Sequence, residues 1–183
     1  MATLVSDDFN RANDPTGLGT ATTGQVWSTI AGNWSVNSSQ ALMTWIQASS
    51  PASSIVVIES GFTDGITSLV LPSVDVPNFA AGIGLIFRYV NSSYYWRLMT
   101  FDFPGAHGQF RLQRVYAGST STVIDVDPPV VSDGCTIEVR YCDVLFEIFV
   151  NGVSVGTYDD TGNPQNYGTQ CGLVSVSGST FFD

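Results

Sequence analysis

Arginine, tyrosine and glutamine side chains recur at alternating positions along neighbouring predicted strands. These residues are Arg88, Tyr95, Arg97, Gln109, Arg111 and Gln113. Because successive side chains of a strand point to opposite faces of a sheet, one face is expected to present all of them. Planar hydrogen-bonding groups beside an aromatic ring suit the hydroxyls and C–H surfaces of a sugar. The sequence therefore predicts a candidate carbohydrate-binding patch, with Arg88, Tyr95, Arg97, Arg111 and Gln113 as its contact residues.

Acidic residues on the same curved face would give these arginines a purely structural role. A predicted turn at Cys142-Asp143 places Glu138 opposite Glu147 on adjacent strands. In this second interpretation the arginines pair with such acids and no ligand is involved. The sequence leaves both interpretations open.

The same two glutamates are the one acid pair that could support glycoside hydrolysis. Opposed Cβ atoms on adjacent strands lie roughly 5 Å apart, and retaining glycosidases hold their two carboxyl groups at about that distance. A Ser-His-Asp or Cys-His unit would depend on His107, which is the only histidine and lies in a predicted loop. One histidine and three scattered cysteines also cannot form a plausible zinc cage. We therefore predict no catalytic residues and no enzymatic activity.

Two acidic loops contain oxygen ligands of the kind that calcium prefers, at Asp125–Asp127 and Asp159–Asn163. Neither loop follows the EF-hand pattern, in which ligands occupy fixed positions of a twelve-residue loop. The sequence thus predicts no cofactor, with calcium left open.

The composition of the 183-residue chain excludes several classes of partner. Sixteen acids face six arginines and no lysine, which gives a net charge of −10. Nucleic acids and anionic membranes both need clustered cations, so neither is expected as a partner. The longest apolar run is too short to span a membrane, and the N-terminus lacks the features of a secretory signal. Three cysteines without a CxxC spacing predict free thiols.

The patch and the glutamates must be positioned by strands, because no window of the chain shows helical periodicity. Short runs rich in Val, Ile, Thr, Phe and Tyr alternate with Gly, Asn, Asp and Ser clusters. They predict strands at 3–9, 26–30, 33–37, 41–47, 54–60, 66–72, 82–89, 94–101, 109–116, 121–126, 135–141, 144–150, 153–158, 171–176 and 179–183. Trp34 and Trp96 alternate with apolar neighbours and are predicted core residues. The pattern indicates one all-β domain over residues 1–183, an antiparallel sandwich or jelly roll.

Three hairpins set the predicted registers. The turn at 90–93 pairs Phe87 with Trp96, and the next loop pairs Trp96 with Leu112. The Asn151-Gly152 dipeptide is a strong signal for a type I′ turn, in which both residues adopt positive φ.

The opening of the chain resembles that of concanavalin A-like (laminin-G-type) jelly-roll domains. The matching segments are Asp7-Asp8-Phe9-Asn10-Arg11-Ala12-Asn13, Gln25-Val26-Trp27 and Gly32-Asn33-Trp34-Ser35-Val36. This variant is similar to domains in minor tail and other virion proteins of tailed bacteriophages. The resemblance continues through 84–96, the Asn151-Gly152 hairpin, Gly172-Leu173 and 181–183, and so covers nearly the whole chain.

The resemblance implies two antiparallel sheets, one of them concave, with sugar recognition on the concave face or its rim loops. It also implies a phage particle assembled in the bacterial host cytoplasm, with other virion proteins as partners, an oligomeric arrangement and host-surface glycan as candidate ligand. Catalytic members of the superfamily carry an E-x-D-x-x-E strand. Here Glu138, Asp143 and Glu147 break that spacing, so hydrolase activity is not expected.

Three functions follow as alternatives from the sequence. The first is a non-catalytic structural or decoration module of a virion that binds carbohydrate. The second is a secreted glycoside hydrolase of the same fold. The third is a purely structural adaptor without glycan binding.

Overall fold

The computed structural model describes residues 5–44, 53–71, 82–101, 109–127, 134–163, 167–176 and 180–182. Every helix or strand within these ranges is a β-strand, which confirms the all-β prediction. The strands are β1 (Ser28–Ala31), β2 (Asn33–Asn37), β3 (Gln40–Thr44), β4 (Ser54–Glu59), β5 (Gly65–Val70), β6 (Ile83–Asn91), β7 (Tyr94–Phe101), β8 (Gln109–Tyr116), β9 (Ser119–Val126), β10 (Thr136–Cys142), β11 (Leu145–Val150), β12 (Val153–Asp159), β13 (Gln170–Ser175) and β14 (Thr180–Phe182). The described residues include no helix of the length and apolarity that a membrane span requires.

The strands form three antiparallel sheets. The largest has seven strands in the order β1-β4-β13-β6-β7-β8-β9. A second sheet has the order β12-β11-β10-β5, and a third has the order β14-β3-β2. One main core unites them, with Leu98 from the first sheet, Ile148 from the second and Trp34 from the third. Trp34 and Trp96 are only 2% and 3% exposed, as predicted.

The observed hairpin registers agree with the predicted ones in part. Phe87 pairs with Trp96 as expected, and both Asn151 and Gly152 have the positive φ that a type I′ turn requires. Trp96 pairs with Arg114, however, and not with Leu112. This error of two residues keeps every side chain on its predicted face, because the side-chain period of a strand is two.

The N-terminal segment is held mainly by side-chain hydrogen bonds, with the Asp7 carboxylate at their centre, and not by a strand ladder. Residues 5–9 form no strand, although the sequence predicts one at 3–9. The Asp7 carboxylate accepts hydrogen bonds from both Nη atoms of Arg11 at 2.7 and 2.9 Å, from Trp27 Nε1 at 2.6 Å and from the Phe9 amide at 3.0 Å. Burial by itself raises the pKa of Asp7, but these donors outweigh it and lower the pKa below its ordinary value. The aspartate, arginine and tryptophan of the opening motif therefore act together as one structural unit.

Candidate functional site

The seven-stranded sheet has a second buried surface on the side that faces away from the main core. We call this side the reverse face. Its apolar residues form a separate cluster of Ile55, Val57, Ile86, Tyr89, Tyr95, Met99, Val115 and Val174. Strand alternation accounts for it, since Leu85 and Phe87 point into the main core while Ile86 between them points away.

A row of four hydrogen-bonded polar side chains crosses the reverse face. On β7, Arg97 Nε donates to Gln113 Oε1 on β8 at 2.8 Å, and Arg97 Nη1 donates to Ser53 Oγ at 2.9 Å. Gln113 Nε2 in turn donates to Thr122 Oγ1 on β9 at 3.1 Å. We call these four residues the polar row. It leads from the buried Arg97 to the exposed Thr122 on the edge strand.

The guanidinium of Arg97 is buried and has no neutralising acid in the part of the chain that the structure describes. Arg97 is 9% exposed, and no carboxylate oxygen of the described residues lies within 4.0 Å of it. Burial lowers the pKa of Arg97, while the interaction with Tyr95 partly opposes that change. A buried charge without a counter-charge is costly for a fold, so this arrangement is unusual for a residue with a structural role alone.

The other two predicted contact residues of this face differ in accessibility. Arg111 lies towards the open side, where its Nε is 2.6 Å from Asp125 Oδ1 and a quarter of its side chain is exposed. Tyr95 is 7% exposed and packs against Tyr89 with ring centroids 5.7 Å apart. Its ring belongs to the apolar cluster and its hydroxyl interacts with Arg97, so Tyr95 does not present an open stacking surface.

Arg88 does not share this face, and its predicted position is wrong. Its φ of 52° interrupts the regular strand, and the β6–β7 register shifts directly after Phe87. The side chain is fully buried, donates to the Thr63 carbonyl at 2.8 Å and to Asp64 Oδ1 at 2.7 Å, and lies 3.8 Å from the ring centroid of Tyr167. The alternation rule fails here because it assumes an unbroken strand.

The predicted opposition of Glu138 and Glu147 is also wrong. Glu138 pairs across the strands with Phe149, and Arg140 is the residue opposite Glu147. Glu138 Oε1 accepts from Arg140 Nε at 2.6 Å. Both glutamates lie on the outer side of the four-stranded sheet, since their sequence neighbours Val139 and Ile148 point into the main core. They therefore neutralise no arginine of the reverse face.

Three of the four carboxylates in the two acidic loops, those of Asp125, Asp159 and Asp160, have protein partners. Asp125 pairs with Arg111, and the buried Asp160 accepts from Tyr158 Oη at 3.1 Å and from Asn163 Nδ2 at 2.7 Å. Within the described ranges no three His, Cys, Asp or Glu side chains are grouped so that they could hold a metal ion. The prediction of no cofactor, with calcium left open, stays untested, and His107 lies outside the described residues.

A cavity of about 920 Å³ is lined by the N-terminal segment and by strands of the two larger sheets. Its walls include Trp27, Thr67, Tyr141 and Cys171, and none of the predicted patch residues. Tyr141 Oη is 2.8 Å from Thr67 Oγ1, and burial raises the pKa of Tyr141 to about 12. Burial also raises the pKa of Cys171 to about 11. The phenol and the thiol are therefore protonated at neutral pH, and neither is an activated nucleophile.

Comparison with known proteins supports the fold. The sequence matches no protein-family model and no curated protein sequence. Among solved structures it is similar to the carbohydrate-binding module CBM66 from Bacillus subtilis, with a TM-score of 0.59, 15% identity and coverage of 86% of this chain and 95% of that one. It is also similar to the carbohydrate recognition domain of Emp47p, with a TM-score of 0.63, 14% identity and coverage of 100% and 95%. The chain is similar, too, to a β-glucanase from Bacillus licheniformis, with a TM-score of 0.51, 12% identity and coverage of 91% of this chain and 85% of that one.

At these identities the likeness shows the fold alone. The chain is an all-β antiparallel jelly-roll sandwich, as predicted, of a kind found in carbohydrate-binding modules, in a lectin-type recognition domain and in a glucanase.

Proposed function

We propose that this protein is a non-catalytic carbohydrate-binding module whose ligand contacts the reverse face at the polar row. The observation that carries the proposal is the buried Arg97 guanidinium, held in plane by Gln113 and Ser53 and without a carboxylate partner among the described residues. Planar donors and acceptors already fixed by their neighbours lose little freedom when a sugar binds. The similar folds of CBM66 and of the Emp47p recognition domain, both named for carbohydrate, favour the same class of ligand.

The accessible part of this surface lies at β8 and β9. Thr122 and Asp125 are exposed there, and Gln109 and Arg111 are half-buried. A sugar at this end meets a hydroxyl, a guanidinium and a carboxylate, a combination that can both donate to and accept from its hydroxyls. Gln113 joins these residues to Arg97 through the row. We propose Arg97, Arg111 and Gln113 as contact residues, with Tyr95 as their apolar support.

The arrangement of the glutamates argues against a hydrolase. Glu138 and Glu147 are two positions out of register, and Glu138 is bound to Arg140. They also lie on a different sheet from the polar row. A retaining mechanism needs two carboxyl groups about 5 Å apart that face the same bond. The likeness to a glucanase therefore supports a shared fold and gives no support to catalysis.

We also propose that the module belongs to a tailed-phage particle, where it assembles in the host cytoplasm with other virion proteins and in several copies. The support is the resemblance of the opening motif, whose Asp7, Arg11 and Trp27 form one unit. Antibody labelling of purified particles, viewed by electron microscopy, tests this location, and we expect label at a defined place on the particle.

A purely structural adaptor is the alternative. In that case Arg111→Ala and Gln113→Ala would impair particle assembly, and the free domain would bind no glycan.

A glycan array followed by titration calorimetry tests the binding function. We expect Arg111→Ala and Gln113→Ala each to weaken binding by about 5- to 150-fold, which corresponds to the loss of about 1–3 kcal/mol of hydrogen bonding. Glu138→Gln is the matched control on the other sheet and should bind as the wild type does. Incubation with the bound polysaccharide should release no reducing ends. Binding that is unaffected by both reverse-face variants would contradict the site, and released reducing ends would contradict the non-catalytic function.

A further inference from the structure

Arg97 differs from the five other arginines of the chain in its charge environment. Each of the others has a carboxylate oxygen within 4.0 Å: Arg11 with Asp7, Arg88 with Asp64, Arg111 with Asp125, Arg114 with Asp160 and Arg140 with Glu138. Arg97 has none among the described residues. In a chain with sixteen acids and six arginines, an arginine without an acid partner among the described residues needs a specific explanation.

The groups around Arg97 are apolar or neutral. Ile86 is its partner on β6, Gln113 its partner on β8, and Tyr95 and Met99 precede and follow it on the same face of β7. Ile86 and Met99 have no exposed surface. In such surroundings a charge is poorly screened, so an anion that reaches it is attracted far more strongly than in water.

The geometry of the guanidinium favours one kind of anion. Its plane is fixed because Nε is bound to Gln113 and Nη1 to Ser53, and both acceptors are uncharged. A fixed guanidinium matches a carboxylate through two parallel hydrogen bonds, and these charge-assisted bonds are stronger than bonds to a neutral hydroxyl. A carboxylate that replaces Ser53 Oγ at Nη1 would exchange a neutral acceptor for a charged one.

We propose that the reverse face recognises an acidic sugar, and that the carboxylate of a hexuronate residue binds Arg97 while Gln113 and Thr122 contact neighbouring hydroxyls. This inference rests on the proposed carbohydrate-binding function and narrows its ligand class. The net charge of −10 makes general attraction of polyanions unfavourable, so uronate binding would have to come from this local site.

Calorimetric titration with oligomers of galacturonate, glucuronate and mannuronate, each beside its carboxyl-reduced counterpart, tests the inference. We expect the wild type to bind at least one uronate oligomer about tenfold or more tightly than the reduced form, since charged partners strengthen hydrogen bonds. Arg97→Met should abolish this preference. Arg97→Lys, which keeps the charge and loses the planar fork, should retain only part of it. Arg140→Met, which removes an arginine from the other sheet, should leave it unchanged.

The outcomes distinguish the acidic-sugar proposal from the broader proposal that the protein binds carbohydrate. Equal binding of the acidic and reduced oligomers by the wild type would overturn the acidic ligand and leave carbohydrate binding in place. A preference that persists in folded Arg97→Met would overturn the role of Arg97. If no oligomer or array glycan binds the folded wild type, both proposals are wrong. Circular dichroism identifies a variant that fails to fold, and in that case the wild-type comparison and Arg97→Lys decide the result.

Discussion

Two buried arginines on adjacent strands, Arg88 and Arg97, lie on opposite sides of the seven-stranded sheet and are stabilised in different ways. Arg88 is enclosed on the core side by the rings of Tyr141, Phe146 and Tyr167 and pairs with Asp64. Arg97 on the reverse face has only neutral hydrogen-bond partners among the described residues.

The difference follows from what each side of the sheet can offer. Asp64 is 47% exposed, so its carboxylate stays partly hydrated while it neutralises Arg88 at the edge of the sandwich. On the reverse face the strand residues next to Arg97 are uncharged: Ile86 on β6, Tyr95 and Met99 on β7, and Gln113 on β8. The charge of Arg88 is thus neutralised within the fold, whereas Arg97 has only uncharged partners among the described residues, which is why we propose an external anion for it.

The largest expected effect tests whether β7 has the two faces described. Trp96 precedes Arg97 and points into the main core, where its ring centroid is 4.4 Å from that of Phe146. Trp96→Ala should lower the free energy of unfolding by about 3–5 kcal/mol, as large aromatic truncations do. The exposed Tyr116 provides the control, because Tyr116→Ala should cost less than about 1 kcal/mol. Urea denaturation measures both, and equal losses would mean that the faces of β7 are misassigned.

A smaller effect on stability is expected when Asp64, the ion-pair partner of Arg88, is removed. Asp64→Ala leaves a fully buried guanidinium with one charged hydrogen bond fewer, which should cost about 2 kcal/mol of unfolding free energy. Asp125→Ala is the matched control, because Asp125 and Arg111 are both more exposed and such pairs contribute about 0–1 kcal/mol. If both variants lose the same stability in urea, the contrast between internal and surface arginine pairs does not hold.

The ion pair of Arg11 and Asp7 should make the stability of the fold depend on pH. The folded pKa of Asp7 lies below its ordinary value of 3.8, so its contribution to stability is complete above that value and is lost as the pH falls through the folded pKa. Asp7→Asn should therefore make the acid-induced loss of stability shallower below pH 4. Thermal melts across this range measure the slope. Asp127→Asn, at an exposed aspartate far from this segment in the chain, is the control, and an unchanged slope in Asp7→Asn would contradict the assignment.

The smallest expected effect on folding comes from Arg97 itself. Arg97→Met removes hydrogen bonds to Gln113 and Ser53 but also removes a buried charge that no described carboxylate neutralises. These contributions oppose each other, so the unfolding free energy should change by less than about 1 kcal/mol. Arg88→Met breaks the ion pair with Asp64 and should lower the free energy of unfolding further in the same urea experiment. A loss in Arg97→Met as large as that in Arg88→Met would mean that Arg97 serves the fold and not a ligand.

Most of the strands were predictable because their apolar residues repeat with period two between turn-forming residues. The segment 3–9 shows the limit of that rule. Val5 and Phe9 would share one face of a strand, yet Phe9 has a φ of 50° and Asp7 between them binds Arg11 and Trp27. A side-chain hydrogen-bond network can replace a strand ladder without changing the local pattern of polarity.

For the candidate site, the sequence predicted which face most of its side chains occupy but not their contacts. Sequence alternation correctly placed Tyr95, Arg97, Arg111 and Gln113 on one face, because a register error of two residues preserves the face. It could not reveal that Arg97 contacts Ser53 and that Gln113 contacts Thr122, since these contacts depend on which strands become neighbours.

The sequence alone determined the all-β class, the strand positions and the face of most side chains, since these depend on local periodicity and turn chemistry. Only the tertiary structure decided which charges are neutralised. Arg88 turned to the core through one residue of positive φ and met Asp64, while Arg97 stayed on a regular strand among neutral neighbours. Electrostatic pairing is a property of distance in space, and residues far apart in the chain come within ion-pair distance only after the sheets have packed.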